Sequence, residues 1–131
     1  MANESVPVLV DTSVWIDAFR GRTSEIVQRT RALIKEDHAL TCGPVIFEIK
    51  RGLRAAERNG ILALFDALVR LEVDETIWES AGDLGASLRK HGYTIPPMDL
   101  IIAQVARHHN VPLMTLDEHF RAIPGLKLTD L

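Results

Sequence analysis

Residues 6–19 read VPVLVDTSVWIDAF, and this stretch indicates the type of fold. Val6–Val10 is a compact apolar run with the length of a buried strand. Asp11 follows at once, and a helical pattern of apolar residues then runs to about Gly21. A strand that passes directly into a helix predicts a crossover unit of a parallel sheet.

The same alternation of short apolar runs and helical patterns continues along the chain. A long helix is predicted from Pro44 to about Arg58, where Asn59-Gly60 is expected to break it. The further predicted strands are Ala39–Cys42, Leu71–Val73, Pro112–Leu116 and Leu126–Leu128. We therefore expect one α/β domain over residues 1–131, with a mostly parallel sheet and helices on both faces.

Composition narrows the classes of function. The 131 residues are 47% hydrophobic and 25% charged, as in ordinary globular proteins. A formal charge of −3 argues against a nucleic-acid binder that works by bulk positive charge. The single cysteine, Cys42, excludes an internal disulfide framework and a thiolate zinc site. No signal-peptide pattern or membrane-length apolar run is present, so we expect a cytoplasmic protein with no membrane partner.

Three aspartates occupy positions where a ligand site forms in parallel sheets. Asp11 and Asp117 each follow a predicted strand, and ligands bind at the carboxyl ends of such strands. Asp99 follows Pro96-Pro97-Met98 at the start of a helix with amphipathic spacing. Taken singly, each has an ordinary structural explanation, as a turn residue or as an acid that favours a helix N-terminus.

Glu48 is placed unusually for an acid. It projects along the apolar stripe of its predicted helix, which includes Val45 and Ile49. A carboxylate that faces a core is costly unless it is paired or binds a cation. A salt bridge to a neighbouring arginine and a metal site both remain open. Four acids that meet at one sheet edge would repel each other unless cations lie among them. Oxygen ligands select Mg²⁺ or Mn²⁺, ions that assist phosphodiester hydrolysis.

Four short motifs, in order, resemble those of the PIN-domain ribonucleases. Val10–Asp17 is similar to the first, and Phe47-Glu48-Ile49 with Gly52 to the second. Met98–Ala103 and Thr115-Leu116-Asp117 are similar to the third and fourth. The chain resembles most the VapC branch, the toxins of type II toxin–antitoxin pairs.

The resemblance implies a three-layer α/β/α sandwich with a parallel five-stranded sheet of order 3-2-1-4-5. It implies an Mg²⁺- or Mn²⁺-dependent endoribonuclease toxin that inhibits translation. The residues carried over as catalytic are Asp11, Glu48, Asp99 and Asp117. Among these, Asp11, Asp99 and Asp117 are the implied metal ligands, with Ser13 and Thr115 beside them. The implied partners are RNA, a second copy of the chain and a small antitoxin that blocks the acidic pocket.

The basic residues after Glu48 and the histidines are further candidates for contacts with a substrate or an ion. Four cations follow Glu48 and either track an RNA backbone or form a solvated helix face: Lys50, Arg51, Arg54 and Arg58. Many PIN proteins carry a further acid shortly after the position of Asp117, where this chain has Glu118 and His119. No ligand-like spacing links His119 to the other histidines, so a ligand role is not expected for it.

Two other classes of function are weighed against the ribonuclease. A non-catalytic RNA- or protein-binding module on the same fold is the first, although none of the four acids is missing. A phospho-aspartate receiver or phosphatase is the second. A receiver needs a lysine at the end of a late strand, whereas Lys127 lies inside the last predicted strand. A phosphatase needs a second aspartate where this chain has Ser13.

Overall fold

The computed structural model describes residues 5–129 and contains the alternating elements that the sequence predicts. Its strands are β1 (Val8–Val10), β2 (Ala39–Cys42), β3 (Val69–Leu71) and β4 (Leu113–Met114). Its helices are α1 (Thr12–Phe19), α2 (Glu25–Lys35), α3 (Gly43–Gly52), α4 (Arg58–Ala67), α5 (Glu75–Lys90) and α6 (Pro97–His109). A short 3₁₀ helix spans Glu118–Ala122.

The strands form one parallel sheet in the order β3-β2-β1-β4. Leu9 of β1 pairs with Leu40 on one side and with Leu113 on the other. Because β1 is flanked on both sides, its carboxyl end lies between those of β2 and β4. The residues that come directly after these three strands are therefore gathered at one edge of the sheet.

The predicted fifth strand is wrong within residues 5–129, which contain a four-stranded sheet. Leu128 makes one isolated parallel bridge to Leu113, on the side of β4 where the fifth strand was expected. The N–H of Leu113 donates to Lys127 O at 2.8 Å, and that of Thr129 donates to Leu113 O at 3.0 Å. β4 is only Leu113–Met114, which leaves little edge for a ladder.

The predicted helix from Pro44 to Arg58 is also wrong in its length. α3 ends at Gly52, and the backbone of Leu53 is already extended, at φ −72° and ψ 138°. Asn59-Gly60 does not break a helix but lies in the first turn of α4, where backbone N–H groups lack partners in any helix. Because α4 ends at Ala67, β3 begins two residues before the predicted Leu71.

The core encloses β1 and the inner faces of the helices. Trp15 and Phe120 are among its largest fully buried side chains. The Trp15 ring meets Phe65 edge-on, with centroids 5.0 Å apart, so α1 and α4 share an aromatic contact. Among residues 5–129, every helix is too short or too polar to cross a lipid bilayer.

Candidate active site

Asp11 and Asp117 approach each other because the strands before them are neighbours. Asp11 directly follows β1, and its backbone N–H donates to Met114 O of β4 at 2.9 Å. Asp117 follows β4 after a two-residue turn and caps the 3₁₀ helix. The charge of Asp117 raises the pKa of Asp11, so the two carboxylates interact.

Asp11 is the most deeply buried acid of the site, with 1% of its surface exposed. Its Oδ2 accepts hydrogen bonds from Thr115 Oγ1 at 2.7 Å and from Ser13 Oγ at 2.8 Å. Burial raises the pKa of Asp11, and the hydrogen bonds from Thr115 and Ser13 offset part of that rise. Within residues 5–129, its Oδ1 is buried and has no hydrogen-bond partner. Such an oxygen is costly unless something binds it.

The hydroxyls of Ser13 and Thr115 also shape the backbone beside the site. The N–H of Leu116 donates to Ser13 Oγ at 3.1 Å, and the N–H of Asp117 donates to Thr115 Oγ1 at 3.0 Å. These N–H groups are therefore not free for a strand ladder, which explains why β4 ends before Thr115. Both hydroxyls also contact Asp11.

Glu48 enters the site from α3, whose start after β2 is set by Pro44 in the first turn. Glu48 Oε1 accepts a hydrogen bond from Thr12 Oγ1 at 2.7 Å. Among the described residues, no arginine pairs with it, so the salt-bridge explanation is not supported. The contact between Thr12 and Glu48 spans 36 residues of sequence.

Asp99 lies in the first turn of α6, and its side chain is 13% exposed. Burial raises the pKa of Asp99 to about 6. The hydrogen bond from His119 lowers this pKa, whereas the charges of Asp11 and Glu48 raise it further. The four acids Asp11, Glu48, Asp99 and Asp117, which we call the carboxylate pocket, are thus electrostatically coupled.

His119 is the residue of this site that sequence reasoning missed. Its Nε2 lies 2.7 Å from Asp99 Oδ2 and donates a hydrogen bond to it. Ligand atoms of Asp99, Asp117 and His119 all lie within 4.8 Å of one another. The available signal was its position two residues after Asp117, where many PIN proteins carry another acid. Asp11 and Glu48 are outside this group of atoms, although their charges act on Asp99.

The pocket's own chemistry fits a divalent cation. It combines carboxylates that repel each other with a buried carboxylate oxygen that lacks a partner. A cation removes both penalties, and carboxylate donors suit Mg²⁺ and Mn²⁺. Asp99 and Asp117 would supply carboxylate oxygens to such an ion.

The predicted basic face is wrong as a single helical surface. All four cations are exposed, but α3 ends between Arg51 and Arg54, and Arg58 begins α4. Arg51 stacks over the Phe47 ring at 5.7 Å from its centroid. Arg54 instead lines a cavity of about 390 Å³ together with Arg20 and Glu48. Arg20 and Arg54 therefore share a cavity with one acid of the carboxylate pocket, Glu48.

Two other kinds of chemistry find no support. Burial raises the pKa of the Cys42 thiol to about 12, so it is a poor nucleophile at neutral pH. Lys127 does not serve as a receiver lysine, because its Nζ donates to Asn110 Oδ1 at 3.2 Å. Asn110 caps the C-terminus of α6, at the opposite end of that helix from Asp99.

Comparison with known proteins gives a consistent result. Residues 8–126 match the PIN domain family. Ribonuclease VapC11 of Mycobacterium tuberculosis is 30% identical over 121 residues, which cover 88% of this chain and 90% of that protein. Ribonuclease VapC1 of Methanocaldococcus jannaschii is 31% identical, covering 99% and 92%.

Solved structures share the fold. The VapBC2 complex of Rickettsia felis, bound to a DNA fragment from its promoter, matches with a TM-score of 0.80 and 21% identity. That match covers 96% of this chain and 99% of the other. FitAB bound to the IR36 DNA fragment matches with a TM-score of 0.73 and 25% identity, covering 93% of each chain.

Proposed function

The chain belongs to the PIN-domain family, in the branch of the VapC ribonucleases, and we propose from this that it is a divalent-metal-dependent endoribonuclease toxin. Its catalytic acids are Asp11, Glu48, Asp99 and Asp117. The observation that carries the proposal is the buried Oδ1 of Asp11, which has no hydrogen-bond partner among residues 5–129 and lies beside mutually repelling carboxylates. Hydrolysis of RNA by a toxin would inhibit translation.

The reaction joins the oxygen of a water molecule to phosphorus and breaks one phosphate ester bond of RNA. The chemistry that a bound Mg²⁺ or Mn²⁺ supplies is activation of the water and stabilisation of charge on the phosphate oxygens. Asp99 and Asp117 would hold the ion. Asp11 is held in place by the hydroxyls of Ser13 and Thr115 and presents its free oxygen. Glu48, oriented by Thr12, accepts a proton from the attacking water.

RNA cleavage by the purified chain tests the proposal. Total cellular RNA is incubated with the chain and Mn²⁺ or Mg²⁺, with EDTA in a parallel reaction, and cleaved ends are mapped. We expect metal-dependent cleavage that Asp99→Asn slows by at least about 100-fold. Asp83→Asn, an exposed acid on α5, serves as the matched control and should cleave normally.

The outcomes separate this proposal from a binding module on the same fold. RNA binding without metal-dependent cleavage of any RNA, in a preparation free of antitoxin, would favour the binding module. Wild-type rates in Asp99→Asn or Asp11→Asn would show that the assignment of the acids is wrong.

We also propose that the chain is a homodimer and binds a small antitoxin. The similar structures include a toxin–antitoxin complex from Klebsiella pneumoniae and VapBC-5 of Mycobacterium tuberculosis, from the VapBC family of toxin–antitoxin systems. Ile16 is 38% exposed and lines the cavity beside Glu48 with Phe19 and Leu53. Light scattering after size exclusion tests both partners, with and without the protein encoded by an adjacent short reading frame. A chain that stays monomeric and does not bind that protein would contradict both proposals.

A further inference from the structure

His119 is held in place rather than free on the surface. It lies in the 3₁₀ helix that follows Asp117, and its ring stacks on Phe120 with centroids 5.0 Å apart and planes at 28°. Phe120 is fully buried, so the surface that supports the imidazole is rigid. The stacked ring directs Nε2 toward Asp99 Oδ2 at 2.7 Å.

The spacing of the donor atoms suits a shared cation. In a six-coordinate Mg²⁺ or Mn²⁺ site with bonds of about 2.1 Å, neighbouring ligand atoms lie about 3 Å apart and opposite ones about 4 Å. The donor atoms of Asp99, Asp117 and His119 all fall within 4.8 Å of one another. The ligand atoms can therefore coordinate one ion after small movements of the side chains.

A second observation at this site points to a missing positive charge. Asp11 is 1% exposed, and its Oδ1 finds no hydrogen-bond donor among residues 5–129. Asp11 faces the same cluster, since its charge raises the pKa of Asp99 and the charge of Asp117 raises its own pKa. The hydroxyls of Ser13 and Thr115 donate to Asp11 Oδ2, and the hydrogen bond from His119 goes to Asp99, so Asp11 Oδ1 is left without a donor among the described residues.

We infer that, when a cation binds, His119 takes the tautomer protonated at Nδ1, its hydrogen bond to Asp99 is broken, and Nε2 becomes a direct ligand, so that the site has one imidazole nitrogen beside its carboxylate oxygens. This inference rests on the proposed function, because both require an ion at Asp99 and Asp117. Imidazole nitrogen suits transition metals better than Mg²⁺. His119 therefore biases the site toward Mn²⁺, in contrast to a pocket that has an acid at this position.

Pulsed electron paramagnetic resonance of bound Mn²⁺ detects this nitrogen directly. The full chain, without any affinity tag, is loaded with Mn²⁺, and electron spin-echo envelope modulation is recorded. We expect ¹⁴N modulation in the wild type and its loss in His119→Gln and His119→Asp. His91→Gln is the matched control, because His91 is exposed at the end of α5 and contacts Ser87 O. It should keep the modulation.

Competition between the two ions gives a second measurement. We expect His119→Asp, which returns the site to oxygen donors, to lower the preference for Mn²⁺ over Mg²⁺ by about tenfold. An unchanged preference, or modulation that persists in His119→Gln, would overturn the inference. Circular dichroism of each variant checks that the fold is intact.

The outcomes distinguish this inference from the proposed function. In one outcome, the wild type binds Mn²⁺, Asp99→Asn does not, and the wild type shows no ¹⁴N modulation. That outcome agrees with a metal-dependent nuclease and shows that His119 is not a ligand. Absence of any Mn²⁺ binding that depends on Asp99 contradicts both.

Discussion

Asp99 illustrates at the scale of one residue how a functional acid costs stability. Its carboxyl group is mostly buried, and burial raises its pKa from 3.8 to about 6. A folded-state pKa above the unfolded value means that the folded chain binds the proton more tightly. The contribution of Asp99 to stability is therefore full below pH 4 and is lost as the pH rises through about 6.

Asp99→Asn should consequently stabilise the metal-free protein at neutral pH. We expect its melting temperature at pH 7.5 to rise by on the order of a few degrees, with no gain at pH 4. Added Mn²⁺ should raise the melting temperature of the wild type but not that of the variant. Differential scanning calorimetry measures all of these values. Asp83→Asn should leave the melting temperature unchanged at both pH values. An equal gain for Asp99→Asn at pH 4 and pH 7.5 would contradict the electrostatic explanation.

Thr115 shows how a neutral side chain supports a charged one. Its hydroxyl donates to Asp11 Oδ2 at 2.7 Å and accepts from the Asp117 N–H at 3.0 Å. Thr115→Val removes both hydrogen bonds while nearly preserving the shape of the side chain. We expect Mn²⁺ affinity to fall by about 10- to 100-fold, as for other groups that orient metal ligands. Titration calorimetry measures the affinity.

Thr41→Val is the matched control for this prediction. Thr41 is fully buried on β2, and its hydroxyl has no hydrogen-bond partner among the described residues. Replacing a buried, unsatisfied hydroxyl with a methyl group removes a penalty, so Thr41→Val should leave Mn²⁺ affinity unchanged. Equal losses in both variants would indicate a general packing effect.

At the scale of elements, the contact between α5 and α6 positions Asp99. Asp99 lies in the first turn of α6, and the next residue, Leu100, packs against Gly85 of α5. A Cβ at Gly85 would lie 2.8 Å from Leu100 Cδ1, so the glycine lets the two helices approach closely. Gly82, one turn earlier on α5, has open space around it.

The two glycines of α5 form a matched pair for mutagenesis. Gly82→Ala should raise the free energy of unfolding by about 1 kcal/mol, because alanine favours a helix over glycine. Gly85→Ala has the same gain in propensity, but its methyl group must displace the Leu100 tip, so we expect a smaller net gain. Urea denaturation of both variants gives the difference. Equal gains would mean that Leu100 moves aside without cost.

At the scale of the whole molecule, the parallel order of strands collects the carboxylate pocket at one edge. Asp11 follows β1, α3 with Glu48 follows β2, and Asp117 follows β4. Asp99 lies on α6 and does not follow a strand, so its position in the pocket depends on how α6 packs. The net charge of −3 therefore includes four acids that lie together, where a bound cation would neutralise part of their charge. Arg20 and Arg54 line the adjoining cavity.

RNA binding should therefore depend on a few arginines and on salt. In the Asp99→Asn background, which prevents cleavage, Arg54→Ala should weaken binding of a single-stranded RNA. It should also reduce the slope of log affinity against log salt by about 0.7, the value for one lost phosphate contact. Arg31→Ala, an exposed residue on α2, is the control. Fluorescence anisotropy between about 50 and 200 mM salt measures the slopes, and equal slopes would exclude Arg54 from the contact with RNA.

Local patterns in the sequence were sufficient to predict that strands and helices alternate along the chain. They were also sufficient to recognise the family motifs around the four acids. The reason is physical: hydrophobic period and helix caps act over a few residues, as at Ser24, whose side chain accepts the N–H of Val27. The break predicted at Asn59-Gly60 was wrong because Asn and Gly are only weak helix breakers in an exposed segment, whereas α3 ends earlier than predicted, at Gly52.

The tertiary structure alone established which side chains meet. The contact between His119 and Asp99 spans 20 residues, and that between Thr12 and Glu48 spans 36. No local pattern encodes either distance, because each depends on how the 3₁₀ helix, α1 and α3 pack around the sheet edge. Tertiary contacts also limit the fifth strand to one bridge. After β4, the N–H groups of Leu116 and Asp117 donate to the hydroxyls of Ser13 and Thr115 instead of extending the sheet.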